Sequence, residues 1–446
     1  MDYKTLYAKT PTTRLFFKAA LPGSVGMLGS SVYQLIAGML VGQLLGRPAF
    51  AARTLAMAFV IVNFALADLI GVGSSVSISI RLGEKNEKEA GNLFTCACLM
   101  ILGAAFFIGA LLFAGAPLFM RLMGAEGELA AQAVQYLRVY ALFSPLTTIL
   151  FAVDNYLRIC GKIRTSMVLN IFMAAMCALL EFIFLYVFRF GVWGAALGTC
   201  TSMSICTVIA FVPFFRGKLA LKFCRPLFSL RSVRRTLSCG CPVFLNNVAG
   251  RAASILMNTI LLQVGGPAAV STYGILMYID GFIQPLLYGM CDSLQPAVGF
   301  NWGAGDYGRV TAIEKRCFAA SAILSLVFSA VIFFFPEQAA GLFTQGSDPE
   351  VLSMAVPAVT IFSATYVTRW FSFASQSFMS AIEKPLLASI ISITTVLIFP
   401  VLLILIFWPL GLTGLWLNLP GTALLSAALS AAILLKIRGQ LRGTDK

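Results

Sequence analysis

Long apolar stretches alternate along the whole chain with short polar segments rich in Lys and Arg. A helix needs about 20 apolar residues to cross the hydrocarbon of a bilayer. Cutting the sequence at its polar segments predicts twelve such helices, at 15–45, 50–80, 92–119, 130–156, 165–188, 192–215, 237–264, 269–298, 316–343, 350–379, 385–408 and 410–435. The first stretch exceeds the about 7–15 apolar residues of a signal peptide, so it reads as a retained span despite the basic residues before it.

Composition agrees with this pattern. Of 446 residues 59% are hydrophobic and only 11% charged, and the mean hydropathy is +0.89, which excludes a set of soluble domains. The net charge of +14 would suggest nucleic acid in a soluble protein, but its placement argues for topology. Alternate connecting segments, counted from the N-terminus, hold 25 of the 32 basic residues, whereas the intervening ones hold four. By the positive-inside rule both termini are expected in the cytoplasm. Arg138, Arg251 and Arg369 fall within spans.

No His occurs, so the commonest proton relay is missing and any proton coupling must use carboxylates. The eleven Cys sit in apolar runs or basic segments, which implies no disulfide framework. Cys239 and Cys241 point apart on a helix and make no metal site. No phosphate-binding Gly-rich loop ending in Lys-Ser or Lys-Thr is present, so no ATP site is expected.

The two halves repeat. At one fixed offset of 220, Pro22 pairs with Pro242, Gly46 with Gly266, Gly83 with Gly303, Gly191 with Gly411, and Gly194 with Gly414. Each half has six spans and enters the membrane from the same side, the parallel arrangement of transporters built from two bundles. The expected organisation is an N-terminal bundle at 1–215, a basic cytoplasmic linker at 216–236 with seven basic residues and no acid, and a C-terminal bundle at 237–446.

Span 2 ends in GVGSSVSISIRLGEKNEKEA, and span 8 ends at the equivalent point in SLQPAVGFNWGAGDYGRV. Small residues allow close helix packing, and the polar ends mark an interface. Together with the proline opening each half, Val41-Gly42, the Leu157-Arg158 and Gly161 turn, and Gly191-Val-Trp-Gly-Ala-Ala, these segments resemble the multidrug and toxic compound extrusion (MATE) family from about residue 18 to 435. The resemblance implies alternating access of two six-helix lobes, with amphipathic compounds leaving in exchange for protons or sodium. It also implies an N-terminal coupling site, whose positions here are Ala37, Cys177, Glu181 and Thr199. The acid usual in span 1 is replaced by Ala37. In the C-terminal lobe, family acids of spans 7 and 10 match Gly250 or Arg251 and Arg369, so basic residues stand where acids are expected.

Ionisable side chains inside spans are costly and therefore candidates for function. The acids are Asp68, Asp154, Glu181, Asp280 and Asp292. Glu181 and Asp280, with Thr199, are the expected cation-coupling residues; the competing readings are a static ion pair with Arg251 for Asp280 and an acid bonded to Thr199 for Glu181. Asp154 has the i, i+4 spacing to Arg158 of a simple pair. Asp68, Asp292, Arg251, Arg369, Gln34 and Asn258 are the expected substrate-binding residues, the arginines because a guanidinium keeps its charge and offers a planar fork to carboxylate or phosphate.

The expectation is therefore an all-α membrane protein of twelve transmembrane helices in two pseudo-symmetric bundles, a secondary exporter with no catalytic residues and no enzyme activity. It takes a small-molecule substrate in the bilayer of the cytoplasmic membrane as a monomer. It uses no cofactor or metal, only H+ or Na+ as the coupling ion, and binds no nucleic acid. The alternative is a flippase for a lipid-linked or anionic substrate held by the cavity arginines.

Overall fold

The computed structural model describes residues 3–341 and 349–443; residues 342 and 343, at the end of the ninth predicted span, lie outside this range. The first half contains α1 (Thr12–Leu45), α2 (Arg47–Gly83), α3 (Glu87–Leu122), α4 (Gly127–Ile159), α5 (Ile163–Phe182) and α6 (Val192–Phe215). There follow α7 (Leu230–Gly303), α8 (Tyr307–Phe334), α9 (Pro336–Gly341), α10 (Pro349–Ser363), α11 (Thr365–Ala381), α12 (Pro385–Ile393), α13 (Phe399–Phe407) and α14 (Gly411–Gly443).

Among the described residues nine helical runs are long and apolar enough to cross a membrane, and a tenth is formed by the pair 350–363 and 365–381, bent by 48°. Two of the nine are double. The 74-residue α7 breaks at Gly266, whose φ is +64°, and the run from Pro385 to Ile437 contains Gly411 at φ +58°. Divided at these glycines, and with the bent pair taken as one span, the runs are consistent with the twelve crossings that the hydropathy pattern predicts. The outer surface is apolar: Phe106, Phe107, Leu122, Leu142 and Phe215 are each 70% or more exposed, which suits lipid and would be a liability in water.

The repeat is visible in the backbone. Gly46 and Gly266 both turn at positive φ, as do Gly191 and Gly411, a conformation that costs a side-chain-bearing residue roughly 1 kcal/mol or more. Asn86 and Asp306, also 220 apart, cap α3 and α8 by accepting the backbone N–H of Glu89 and Arg309 at 3.1 and 2.9 Å. A Cβ on Gly83 would lie 2.0 Å from the Phe300 carbonyl oxygen, and one on Gly303 would lie 2.1 Å from that of Ile80. The two contacts are mates under the same offset, so each glycine is there to admit the other helix's backbone.

By contacts the chain divides into two units. The first comprises Met1–Pro11, Val25–Phe244 and Gly299–Ala304, and the second Thr12–Ser24, Leu245–Val298 and Gly305–Lys446. The core of the first is built from small side chains on α2, α4 and α6, among them Ala52, Ala56, Ala141, Ala195 and Ala196, packed around Leu112, Tyr136 and Leu137. Small residues let helices approach where lipid offers no hydrophobic drive between them. In the second unit, Ser325 and Ser329 of α8 donate to the carbonyls of Tyr366 and Ser363 at 2.7 and 2.8 Å. These bonds tie α8 to the bend between α10 and α11.

Candidate functional site

Two clusters of polar side chains lie inside the spans, one in each unit. In the first, Glu181 stands at the end of α5, just before the π-helical turn Ile183–Val187. Such turns recur at functional positions because they redirect side chains out of helical register. The Thr199 hydroxyl on α6 donates to Glu181 Oε1. Both residues are 2% exposed. Gly198 makes the approach possible, since a Cβ there would meet Glu181 N at 2.8 Å and Cγ at 3.0 Å. Glu181 Oε2 has no hydrogen-bond partner among the described residues.

Arg53 acts electrostatically on the same carboxylate. The Arg53 guanidinium also reaches α1, where Nη1 would be 3.3 Å from a Cβ on Gly38, next to the buried Ala37 that replaces the family's usual acid. The charge count numbers Arg53 with the intervening segments, although the predicted span 50–80 contains it near its start. The structure corrects this: α2 starts at Arg47 and carries Arg53 two turns into the helix. Pro48 at the first turn after Gly46 was the signal for that early start. Asn63, further along α2, donates to Ser144 Oγ at 2.7 Å. Asp68 is half-buried on the same helix, and Gln34 is exposed on α1.

Asp154 is engaged on several sides. It accepts from Arg158 Nη2 at 2.5 Å, Ser166 Oγ at 2.5 Å and Asn170 Nδ2 at 3.0 Å. The Tyr7 hydroxyl donates to the Arg158 carbonyl. The i, i+4 pair expected from spacing is present, but Arg158 is only 3% exposed, so this is a buried lock between α4 and α5. Arg138 donates from Nε to the Phe113 carbonyl at 3.4 Å and lies over the Phe113 ring.

In the second unit Asp280 of α7 accepts from the Tyr366 hydroxyl at 2.7 Å and from Arg369 Nη1 at 2.9 Å, both at Oδ1. The partner is thus Arg369, not the Arg251 expected from span adjacency, because α11 presents Tyr366 and Arg369 three residues apart on one face. Asp280 and Arg369 border a cavity of about 450 Å³ that lies wholly within this unit, within the size range of small-molecule sites. Arg251 also lines it, together with Asn246, Asn247, Gln284 and Gln376. Its apolar walls include Met257, Met277 and Phe373.

The other expected substrate contacts are elsewhere. Asn258 donates back to the Ser254 carbonyl at 3.0 Å, and Asp292 accepts from Gln295 Nε2 at 2.9 Å and Ser377 Oγ at 3.3 Å; neither lines the cavity. The structure therefore joins Glu181 with Thr199, and Asp280 with Arg369 around a cavity shared with Arg251. Thr365 and Thr395, which also line the cavity, had no signal in the sequence, since hydroxyls in apolar helices usually bond their own backbone.

Among the described residues the chain is helical and apolar enough to cross a membrane many times, and a polar cluster inside each unit is what a multi-pass membrane transporter requires. The MatE family model matches residues 22–187 and 242–406, and the chain belongs to that family of transporters. Among similar proteins is the multidrug export protein MepA of Staphylococcus aureus, 24% identical over 416 residues, 92% of this chain and 90% of that one. MepA of Staphylococcus saprophyticus is 24% identical over 404 residues, 89% and 87% of the two chains. Among solved structures, a MOP superfamily transporter from Pyrococcus furiosus, described as having a binding pocket of reverse polarity, superposes with a TM-score of 0.92 at 22% identity over 100% of this chain and 99% of that one. An outward-facing multidrug resistance MATE family transporter gives 0.88 at 21% identity, over 99% and 96%. At these identities the superpositions establish the fold.

Proposed function

We propose that the protein is a secondary active exporter of the cytoplasmic membrane. Two six-helix bundles, 1–215 and 237–446, joined by the basic linker 216–236, alternate access as a monomer with both termini in the cytoplasm. Small amphipathic compounds leave in exchange for inward H+ or Na+, with no other cofactor. The multidrug export named for the MepA relatives supports this direction of transport.

One observation carries the reading: Glu181 is a buried carboxylate in a span with one oxygen bonded to Thr199 and the other without a partner among the described residues. An acid held this way costs several kcal/mol unless something neutralises it. A proton or sodium ion on Oε2 does so. Arg53 acts electrostatically on the same group, so gaining or losing the mobile cation alters the charge that Arg53 senses. Asp280 is different, because Arg369 already neutralises it.

Reconstituted protein under a proton gradient or a sodium gradient, imposed separately, tests the proposal. One of the two should drive efflux of an amphipathic dye, and Glu181→Gln should abolish it. Efflux that needs neither gradient, or that survives in the variant, overturns it. The alternative, a flippase for a lipid-linked or anionic substrate, is favoured by Arg251 in the cavity.

A further inference from the structure

We infer that the cavity of the second unit is a subsite for an oxyanion, a carboxylate or phosphate carried on an apolar body, with Arg251 as its principal ligand. The inference rests on the export reading and names the substrate class. Three charged side chains line the cavity, Arg251, Arg369 and Asp280. Asp280 is bonded to Arg369 and Tyr366, so that pair contributes no net charge. Arg251 has no ion pair or hydrogen bond among the described residues. The cavity is therefore built with one uncompensated positive charge, on a guanidinium that stays protonated and presents parallel N–H donors.

Neutral groups extend the same preference. Thr365, 3% exposed, and Thr395 line the cavity, and their hydroxyls are buried beneath its surface and lack a partner among the described residues. A rotation about the Cα–Cβ bond would bring either hydroxyl to an anion oxygen that Arg251 leaves unmet. Unpartnered buried donors are costly, and a ligand that satisfies them recovers that cost. On α7, Asn247, Gly250, Arg251 and Ser254 all line the cavity, the three- and four-residue spacing of one helical face. Gly250 keeps that face low, its nearest neighbour a Val396 methyl 3.4 Å from a built Cβ. The Met257, Met277 and Phe373 walls accept the apolar body. An organic cation would find one acid, already held by two donors, and would face Arg251.

Arg369 is a positioning residue here, since Asp280 fixes its guanidinium. Its removal strands a buried acid, so Arg251 is the residue to change. The test is binding to purified protein in lipid nanodiscs, read by fluorescence anisotropy, of a matched pair: 1-naphthoate and 1-naphthylmethylammonium. A third arm uses lysophosphatidic acid as competitor, to separate a lipid headgroup from a free oxyanion. The wild type should bind naphthoate more tightly than the ammonium compound. Arg251→Gln should weaken naphthoate on the order of tenfold to a hundredfold, the worth of a charged hydrogen-bonded contact, and leave or improve the ammonium compound. Displacement of naphthoate by lysophosphatidic acid assigns the site to a headgroup; lack of displacement assigns it to soluble anions.

Tighter binding of the cation in the wild type, or equal naphthoate affinity in Arg251→Gln, overturns the inference. Should that variant fail to fold, the wild-type preference between the matched pair decides alone. Binding is measured without a gradient, so naphthoate held through Arg251 but moved by neither gradient keeps the subsite and removes the export reading. Gradient-driven efflux of the cation with an indifferent Arg251 does the reverse.

Discussion

The two polar clusters occupy corresponding halves of one repeat, yet they hold opposite chemistry. At the offset that aligns the turns, Glu181 corresponds to Val401, Thr199 to Leu419, Arg251 to Ser31, Asp280 to Val60 and Arg369 to Ile149. None of the five charged or hydroxyl positions is matched by a like residue. The backbone devices are: Gly46 and Gly266, Gly191 and Gly411, and the caps Asn86 and Asp306. A turn or a close backbone crossing tolerates very few residues, so both copies keep it. A side chain facing an internal space is constrained only by what it binds, and the two halves divide that work. The first unit buries an acid with an open oxygen, and the second presents a cation to a cavity.

The sharpest way to break this comparison is transport. Glu181→Gln should reduce gradient-driven efflux to the level of empty liposomes while the purified protein unfolds at nearly the wild-type temperature, because the amide can still accept from Thr199. Asp280→Asn should do the opposite. It leaves Arg369 without its acid and should destabilise by about 2–4 kcal/mol, toward the lower end because the guanidinium borders the cavity. Asp280→Asn combined with Arg369→Gln should recover most of that loss in thermal unfolding. A double variant no more stable than the single one would show that the pair is not what holds α7 to α11.

The repeat itself gives the next test. Gly83→Ala should cost about 1–3 kcal/mol or more, since its Cβ would meet the Phe300 carbonyl oxygen at 2.0 Å. Gly103→Ala, where nothing lies within 4 Å, should be neutral or slightly stabilising through helix propensity. Smallest of all, Asn86→Ala and Asp306→Ala should each cost about 1 kcal/mol through loss of an N-cap. The two should match within a few tenths. Unequal losses would mean that one copy of the cap has acquired a further role.

Much of the architecture was legible in advance because bilayer physics is demanding. A span must be long, apolar and helical, and its flanking charges report its side, so hydropathy separated spans even where Gly266 and Gly411 divide long helical runs. The offset of 220 was readable because glycine and proline are hard to replace at turns. Glu181 and Asp280 stood out as acids in apolar surroundings. Their partners did not stand out equally. Thr199 came from family resemblance, whereas Arg53 was hidden by its nearness to a loop, and the pairing of Asp280 with Arg369 instead of Arg251 depended on which face of α11 turns inward.

The sequence by itself determined that the chain is a helical membrane protein with a twofold internal repeat, because the cost of exposing polar backbone to lipid leaves no other arrangement for such a composition. Only the tertiary structure decided which charges are spent on each other and which remain for a ligand. Asp280 and Arg369 lie 89 residues apart and Glu181 and Thr199 lie 18 apart. Whether such residues meet is set by helix packing and rotation, which hydropathy does not encode. Arg251 and Arg369 look alike in the sequence, and the difference between a neutralised guanidinium and an available one is a matter of a few ångströms in the folded chain.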